Sequence, residues 1–282
     1  MMPEGVILKK KKRKILQIII FVVIGVVFIA YILPLLWMVM NTFKNDVQIF
    51  TTTPKFLFKP TLYNYFVVLG SDLFREPILV SLFMTITSTL LVLVVGTMAG
   101  YVFSRLKMRA KNDIMLLILL TRMMPPIVIL IPVYIMYINI GLQDTFFGLL
   151  LIFTHLNLAF SVWMMKGFID NIPFAYEEAA MCDGYSRIQV FFKLIMPMVV
   201  PGLLATAVFC GIFVWNEYIF ARTLTWTKIS MMTVKFYATS GGAGGVYSTI
   251  SFLYSLPMII FTFLIRKYLL RGVTFGLIKV SV

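Results

Sequence analysis

Pro173-Phe174-Ala175-Tyr176-Glu177-Glu178-Ala179-Ala180-Met181-Cys182-Asp183-Gly184 and, six residues on, Phe191-Phe192-Lys193-Leu194-Ile195-Met196-Pro197 form a polar interruption between two long apolar stretches. Pro173 suits the first turn of a helix, where an N–H is not needed. Glu177 and Glu178 fall early, where the helix dipole favours negative charge. Ala179 and Ala180 favour helix and keep it slim. Gly184 predicts a left-handed cap. Residues 187–195 predict a second helix, and Pro197 and Pro201 should stop or bend the chain beyond it. The product is a helix–turn–helix standing outside the apolar layer, with a small-residue ledge, two carboxylates and aromatic side chains. Such a shape fits a groove on a soluble partner. A solvated hairpin with no partner fits the same residues about as well.

The surroundings explain why this loop stands out. Hydrophobic residues make up 61% of the 282 and charged residues 13%, against roughly 45–50% and 25% in a soluble domain. This composition excludes an ordinary water-soluble enzyme and a disordered tail, and places the excess apolar surface in lipid. Six stretches are each near the ~17–25 residues needed to cross a bilayer: 15–40, 77–104, 114–137, 146–165, 199–220 and 249–265. The first follows the basic run Lys9-Lys10-Lys11-Lys12-Arg13-Lys14. It is longer than the roughly 7–15 residues of a signal-peptide core, so it reads as a retained first helix. With six spans, seventeen of the 25 Lys and Arg fall on the side of the N-terminus and of the hairpin, seven on the other side, and Arg122 inside a span. Basic loops stay in the cytoplasm. The expectation is an all-α integral membrane protein with six transmembrane helices, N-in and C-in. The net charge of +14 then reflects loops held against an anionic leaflet, not nucleic-acid binding.

The chemistry available within the spans is sparse. Arg122 lies inside the third and costs about 2.5–3.5 kcal/mol there, so it should face the bundle interior. Pro125 and Pro126 follow and should break the helix beside a cavity. Arg122 reads either as pathway lining or as a charge satisfied by carbonyls and an acid such as Glu217. His155 and Asn157 in the fourth span suit hydroxyls of a polar solute or interhelical hydrogen bonds. Trp215, Asn216 and Glu217 near the end of the fifth suit a gate or an interfacial anchor. No G-x-x-x-x-G-K-[ST] phosphate cradle and no G-x-S-x-G occur. The single His has no partner cluster, and Cys182 and Cys210 belong to no zinc-like spacing. Neither catalysis nor a metal is assigned to this chain.

Glu178-Ala179-Ala180, then three residues, Gly184, nine residues and Leu194-Ile195-Met196-Pro197 resemble the EAA loop of ABC-importer permeases, E-A-A-x3-G-x9-I-x-L-P. Leu194 stands for the family's Ile and Met196 for its Leu. Asp183-Gly184-Tyr185-Ser186-Arg187, Trp215-Asn216-Glu217-Tyr218 and Arg266-Lys267-Tyr268-Leu269-Leu270-Arg271-Gly272 are similar to the carbohydrate branch, the MalG-like second permeases of sugar and polyol importers. The similarity runs from about Ile15 to the end.

The resemblance implies a type I ABC importer permease fold in a prokaryotic inner membrane. It divides the chain into a basic cytoplasmic N-terminus (1–14), a first transmembrane helix (15–40), an outer loop (41–76), a permease core (77–271) with the EAA loop at 173–197, and a cytoplasmic tail (272–282). It implies ATPase coupling through Glu177, Glu178, Ala179, Ala180, Asp183, Gly184 and Pro197. The intramembrane polar residues and helix break, Arg122, Pro125, Pro126, His155, Asn157, Trp215, Asn216 and Glu217, remain the candidate substrate pathway. The outer loop 221–248, with Gly241, Gly242, Gly244 and Gly245 at its tip, would touch an extracytoplasmic solute-binding protein. The expected partners are that receptor, a second permease subunit forming a heterodimer, two cytoplasmic ATPase subunits holding ATP and Mg, and the lipid. A stand-alone secondary transporter is the alternative. It would favour inverted repeats and paired intramembrane acids, and the chain shows neither.

Overall fold

The computed structural model describes the backbone of residues 4–238 and 244–277, with side chains for 14–72, 74–236 and 244–263. The described residues are helical with irregular connections. In order the helices are α1 (Glu4–Thr42), α2 (Asp46–Ile49), α3 (Tyr63–Gly70), α4 (Asp72–Arg105), α5 (Lys111–Met123), α6 (Pro126–Ile140) and α7 (Phe146–Asp170). After these come α8 (Ala175–Cys182), α9 (Arg187–Val190), a π-helical turn Phe191–Ile195, α10 (Met196–Met198), α11 (Val200–Trp215), α12 (Ile219–Leu224), α13 (Met232–Ala238) and α14 (Gly244–Leu277).

Four helices contain continuous candidate spans: Lys14–Thr42, Phe74–Arg105, Phe146–Asp170 and Gly244–Phe263. Two more spans are bent pairs, Lys111–Met123 with Pro126–Ile140 at 92° and Arg187–Met198 with Val200–Trp215 at 72°. The expected count of six is reached when each pair is one span; the third is broken at its middle, whereas the second bend lies at the start of the fifth, 199–220, where the hairpin joins it. The physical cause is local. Met124 precedes Pro125, whose ring disfavours helical backbone before it, and Met124 is extended, with φ −67° and ψ 136°. Pro197 and Pro201 flank the second bend. Neither can donate a backbone hydrogen bond.

The chain divides into two compact units, which are described separately. The first comprises the residues up to Gly70 and the segment that ends at Leu253. The apolar side chains of α1, such as Ile18, Phe21 and Phe28, are exposed, as lipid-facing residues are. Beyond the helix, Lys44 is only 1% exposed. Its ammonium donates to Asn41 Oδ1 at 3.1 Å and lies 4.2 Å from the Trp37 ring centroid, a cation–π contact. Asn64 donates to the carbonyls of Thr42 and Lys44. Here the glycine tip departs from expectation. Gly245 is buried at the start of α14, donating to Asp46 Oδ1 at 3.1 Å. A Cβ there would meet Asn64 Nδ2 at 2.5 Å. It is therefore a packing glycine, not an exposed receptor contact. Gly241 and Gly242 lie outside the described residues.

The second unit runs from Ser71 and resumes at Tyr254. Its centre is the pair α4 and α7. A Cβ on Gly96 would strike Ser161 Oγ at 2.1 Å, and one on Gly100 would strike the Lys166 backbone at 2.9 Å. Small residues four apart let two backbones approach in lipid, where packing substitutes for the hydrophobic effect. Met84, Leu149, Ile152, Phe153, Val214 and Phe220 fill one end of this bundle. Met165, Ile169, Val190, Phe191 and Ile195 fill the other.

Asp144, between α6 and α7, ties two connections together. It is 8% exposed and left-handed at φ 54°. Its carboxylate accepts from the backbone N–H groups of Trp226, Thr227, Lys228 and Ile229 and from the Thr227 hydroxyl. Burial pushes its carboxyl up, but the hydrogen bonds from Lys228, Thr227 and Trp226 outweigh burial and hold it below the usual carboxylate range. The folded pKa is the lower one. The stabilisation is therefore complete above the unfolded value of about 3.9 and is lost as pH falls through the folded value. Asp144→Ala strands these donors and is expected to cost on the order of 2–3 kcal/mol. Hydrogen exchange at Thr227–Ile229 should rise at pH 7 in the variant. Unchanged protection there would contradict the clamp.

Candidate functional site: a surface hairpin and an intramembrane cavity

The hairpin folds much as its residues dictate. Helix α8 ends in a Schellman motif: Tyr185 N–H donates to the Ala180 carbonyl and Gly184 N–H to that of Met181, both at 3.1 Å. Gly184 is left-handed at φ +89°, a conformation that costs glycine nothing. Helix α9 opens with a capping box between Ser186 and Gln189. The second helix expected at 187–195 begins as α9 but continues as the π-helical turn. Val190, Phe191 and Ile195 are buried beneath it.

The two carboxylates part company. Glu178 is exposed, together with Ala179, Cys182, Asp183 and Gly184, while Ala180 is half-buried. Glu177 is 2% exposed. It forms an ion pair with Arg105 Nε and accepts from the Tyr101 hydroxyl at 2.9 Å. Arg105 also donates from Nη2 to the Ile172 carbonyl at 2.8 Å. Glu177 is therefore not available to a soluble partner. It pins the hairpin to the end of α4, because its position on α8 turns it to the same side as half-buried Met181 four residues later. Pro197 sits in α10, below the bend and away from α8 in sequence. The sequence offers no sign of the Arg105–Glu177–Tyr101 cluster; there Arg105 counts only among the basic loop residues that follow the second span. Nothing at a 72-residue separation signals it in one chain.

A second constellation lies within the spans. Arg122, Pro126, His155, Asn157, Phe213 and Glu217 line one cavity of about 260 Å³. Arg122 turns inward as expected. Its Nη1 donates to the Leu156 carbonyl at 2.5 Å, and its guanidinium lies 4.3 Å from the Phe213 ring centroid. It does not pair with Glu217, whose oxygens instead accept from the N–H groups of Phe220 and Ala221 at 2.9 Å each. Asn157 donates to Phe153 O at 2.9 Å, and its Oδ1 is buried without a partner among the described residues. A buried acceptor left open in this way is costly unless something fills it.

The other expected pathway residues stand apart from that cavity wall. Pro125 caps α6 at the bend. Trp215 is 1% exposed, stacked on Tyr254 at 4.8 Å, and its carbonyl accepts from the Tyr254 hydroxyl. It is neither a gate in that wall nor an interfacial anchor. Asn216 is exposed and donates back to Ile212 O at 2.8 Å.

Comparison with known proteins places this geometry. Residues 92–275 match the family model described as binding-protein-dependent transport system inner membrane component. The chain is 35% identical over 271 residues to a probable ABC transporter permease protein of Sinorhizobium fredii, covering 95% of this chain and 96% of that one. It is 29% identical to the trehalose transport system permease protein SugB of Mycobacterium tuberculosis, covering 88% and 92%. Its fold is similar to a chain in the crystal structure of a bacterial ABC transporter involved in the import of the acidic polysaccharide alginate. That match has a TM-score of 0.79, 21% identity and coverage of 91% of this chain and 97% of that one. The family match spans the bundle, the cavity and the hairpin alike, and the chain belongs to the binding-protein-dependent transport system inner membrane components, as a multi-pass permease of an ABC importer.

Proposed function

We propose that this chain is the permease of a sugar or polyol importer, forms half of the translocation pathway with a second permease subunit, and is driven through its 173–197 hairpin by a separate ATPase. The observation that carries the reading is the exposed ledge Glu178, Ala179, Asp183 and Gly184 mounted on a buried Arg105–Glu177 pair. A ledge of small residues permits close seating in a groove. The ion pair passes movement of that ledge to α4 without slack. ATP and Mg, held by the partner, supply the driving chemistry. Closure of the ATPase dimer draws the hairpins together and opens the bundle outward, and a receptor then releases solute into it. The cavity suits an uncharged polyhydroxylated ring. Phe213 offers an aromatic surface, while His155 and Glu217 offer hydrogen-bond groups, the usual make-up of a small-molecule site. The trehalose permease among its relatives supports that solute class.

The test is uptake of labelled trehalose, other disaccharides and polyols by proteoliposomes holding the chain with its partner permease, ATPase and receptor. Uptake should require ATP and every component. Uptake that survives removal of the ATPase, or that follows an ion gradient, overturns the reading.

A further inference from the structure

We propose that the pocket between the end of α4 and the start of α5 binds the phosphodiester headgroup of an anionic membrane lipid. The pocket is an open surface groove of about 630 Å³ lined by Ser104, Arg105, Leu106, Lys107, Met108, Arg109, Lys111 and Phe174. Arg105 is committed to Glu177 and Ile172. Lys107, Arg109 and Lys111 form no ion pair within 4 Å among the described residues. The nearby acid Asp170 is already engaged, by Lys166 at 2.5 Å and Ser104 at 2.6 Å. Asp113 is the one acid in the first turn of α5, and it is exposed. Three cations thus meet at one concavity, Lys107 and Arg109 without an acid partner and Lys111 offset in part by Asp170.

Helix geometry adds to the charge. The thirteen-residue α5 begins at Lys111, and its N-cap Ala110 makes no side-chain cap. The positive end of the helix dipole therefore joins the same rim. The walls decide which phosphate fits. Leu106 and Phe174 in its lining are 37% and 45% exposed, and Ile114 and Leu117, further along α5, are exposed apolar residues too. A free phosphate has no use for such walls, whereas a lipid places its headgroup on the rim and its glycerol and acyl start against them. Basic pockets at the cytoplasmic ends of spans take acidic headgroups in this way. The site needs the hairpin's cytoplasmic orientation but not the importer reading. It adjoins α8 directly, since Phe174 is both its wall and the N-cap of that helix.

The experiment measures phosphatidylglycerol and phosphatidylcholine retained by the purified full chain in detergent, by native mass spectrometry. The test variant is Lys107→Gln/Arg109→Gln/Lys111→Gln, and the control is Lys9→Gln/Lys10→Gln/Lys11→Gln. One cation near an acidic surface contributes about a fivefold factor. The test variant should therefore hold phosphatidylglycerol on the order of a hundredfold more weakly, with phosphatidylcholine unchanged. The control should retain the lipid. Equal loss in both variants, or no loss in the test variant, overturns the site. Displacement of the lipid by 10 mM inorganic phosphate, in the same buffer at matched ionic strength, also overturns it, because the pocket would then read phosphate alone. A co-purified ATPase subunit that protects Lys107 and Lys111 from acetylation in lipid-free detergent would show a protein contact in its place.

Discussion

Glu177→Ala should abolish ATP-driven uptake while leaving the chain in the membrane. Removing one partner of a buried ion pair leaves the other charge uncompensated and costs about 3–5 kcal/mol. Here the charge left behind is Arg105, whose side chain is 10% exposed. The Tyr101 hydroxyl loses its acceptor as well. The damage falls on the seat of α8, not on the α4–α7 packing that inserts and holds the bundle. Proteolysis near Met181 should accelerate at unchanged expression, and Arg105→Ala should do the same. The double replacement Arg105→Met/Glu177→Leu tests the cause. Swapping a buried pair for apolar residues of similar size is often neutral, so protease resistance should return in the double variant. Uptake should return only in part, because an apolar contact slides where an ion pair does not. If Glu177→Ala leaves both protease resistance and uptake intact, the pair is not the seat.

Gly184→Leu should separate insertion from coupling more sharply. A Cβ at this position meets nothing within 4 Å in the chain. The cost inside the protein is therefore backbone strain alone, about 1–2 kcal/mol for a side chain held left-handed. That weakens the Schellman cap without unfolding a bundle of this size. The exposed ledge, however, gains a bulky side chain where a partner must approach closely. Interface centres lose 2 kcal/mol or more on such changes, so uptake should fall roughly thirtyfold or beyond. Gly184→Asn, which tolerates the left-handed cap, should retain more activity than Gly184→Leu. Glu178→Lys should act similarly from the exposed surface, with no effect on proteolysis. Equal uptake by wild type and Gly184→Leu would remove the ledge from the coupling mechanism.

Much of this was legible because it is written locally. The cap at Gly184 and the bend near Pro197 each act within a few residues, although α8 begins at Ala175, two residues after the Pro173 expected in its first turn. The break after Met123 follows from Pro125 in the same way. Arg122 could be placed inward because charge in hydrocarbon leaves few choices. What escaped depends on distant contacts. Glu177 and Glu178 are equivalent in a sequence, and only the packing of α8 beside Arg105 and Tyr101 separates them. Trp215 looked like an interfacial residue, but stacking on Tyr254 buries it. Gly245 read as part of a receptor-contacting tip and is a close-packed contact. Asp144 carried no sequence signal, since its partners are four backbone N–H groups and one hydroxyl more than 80 residues away. The small-residue pair Gly96 and Gly100 carries a signal of its own, a four-residue spacing that suits close helix approach.

Cys182 provides the most direct test of the central claim, that the hairpin faces the cytoplasm and seats in an ATPase. It is exposed on α8, whereas Cys210 is buried, so the native chain carries its own probe. A membrane-impermeant maleimide should label Cys182 in inverted vesicles and not in intact spheroplasts, and co-assembled ATPase subunits should shield it. Labelling from the outside, or equal labelling with and without the ATPase, would contradict the account.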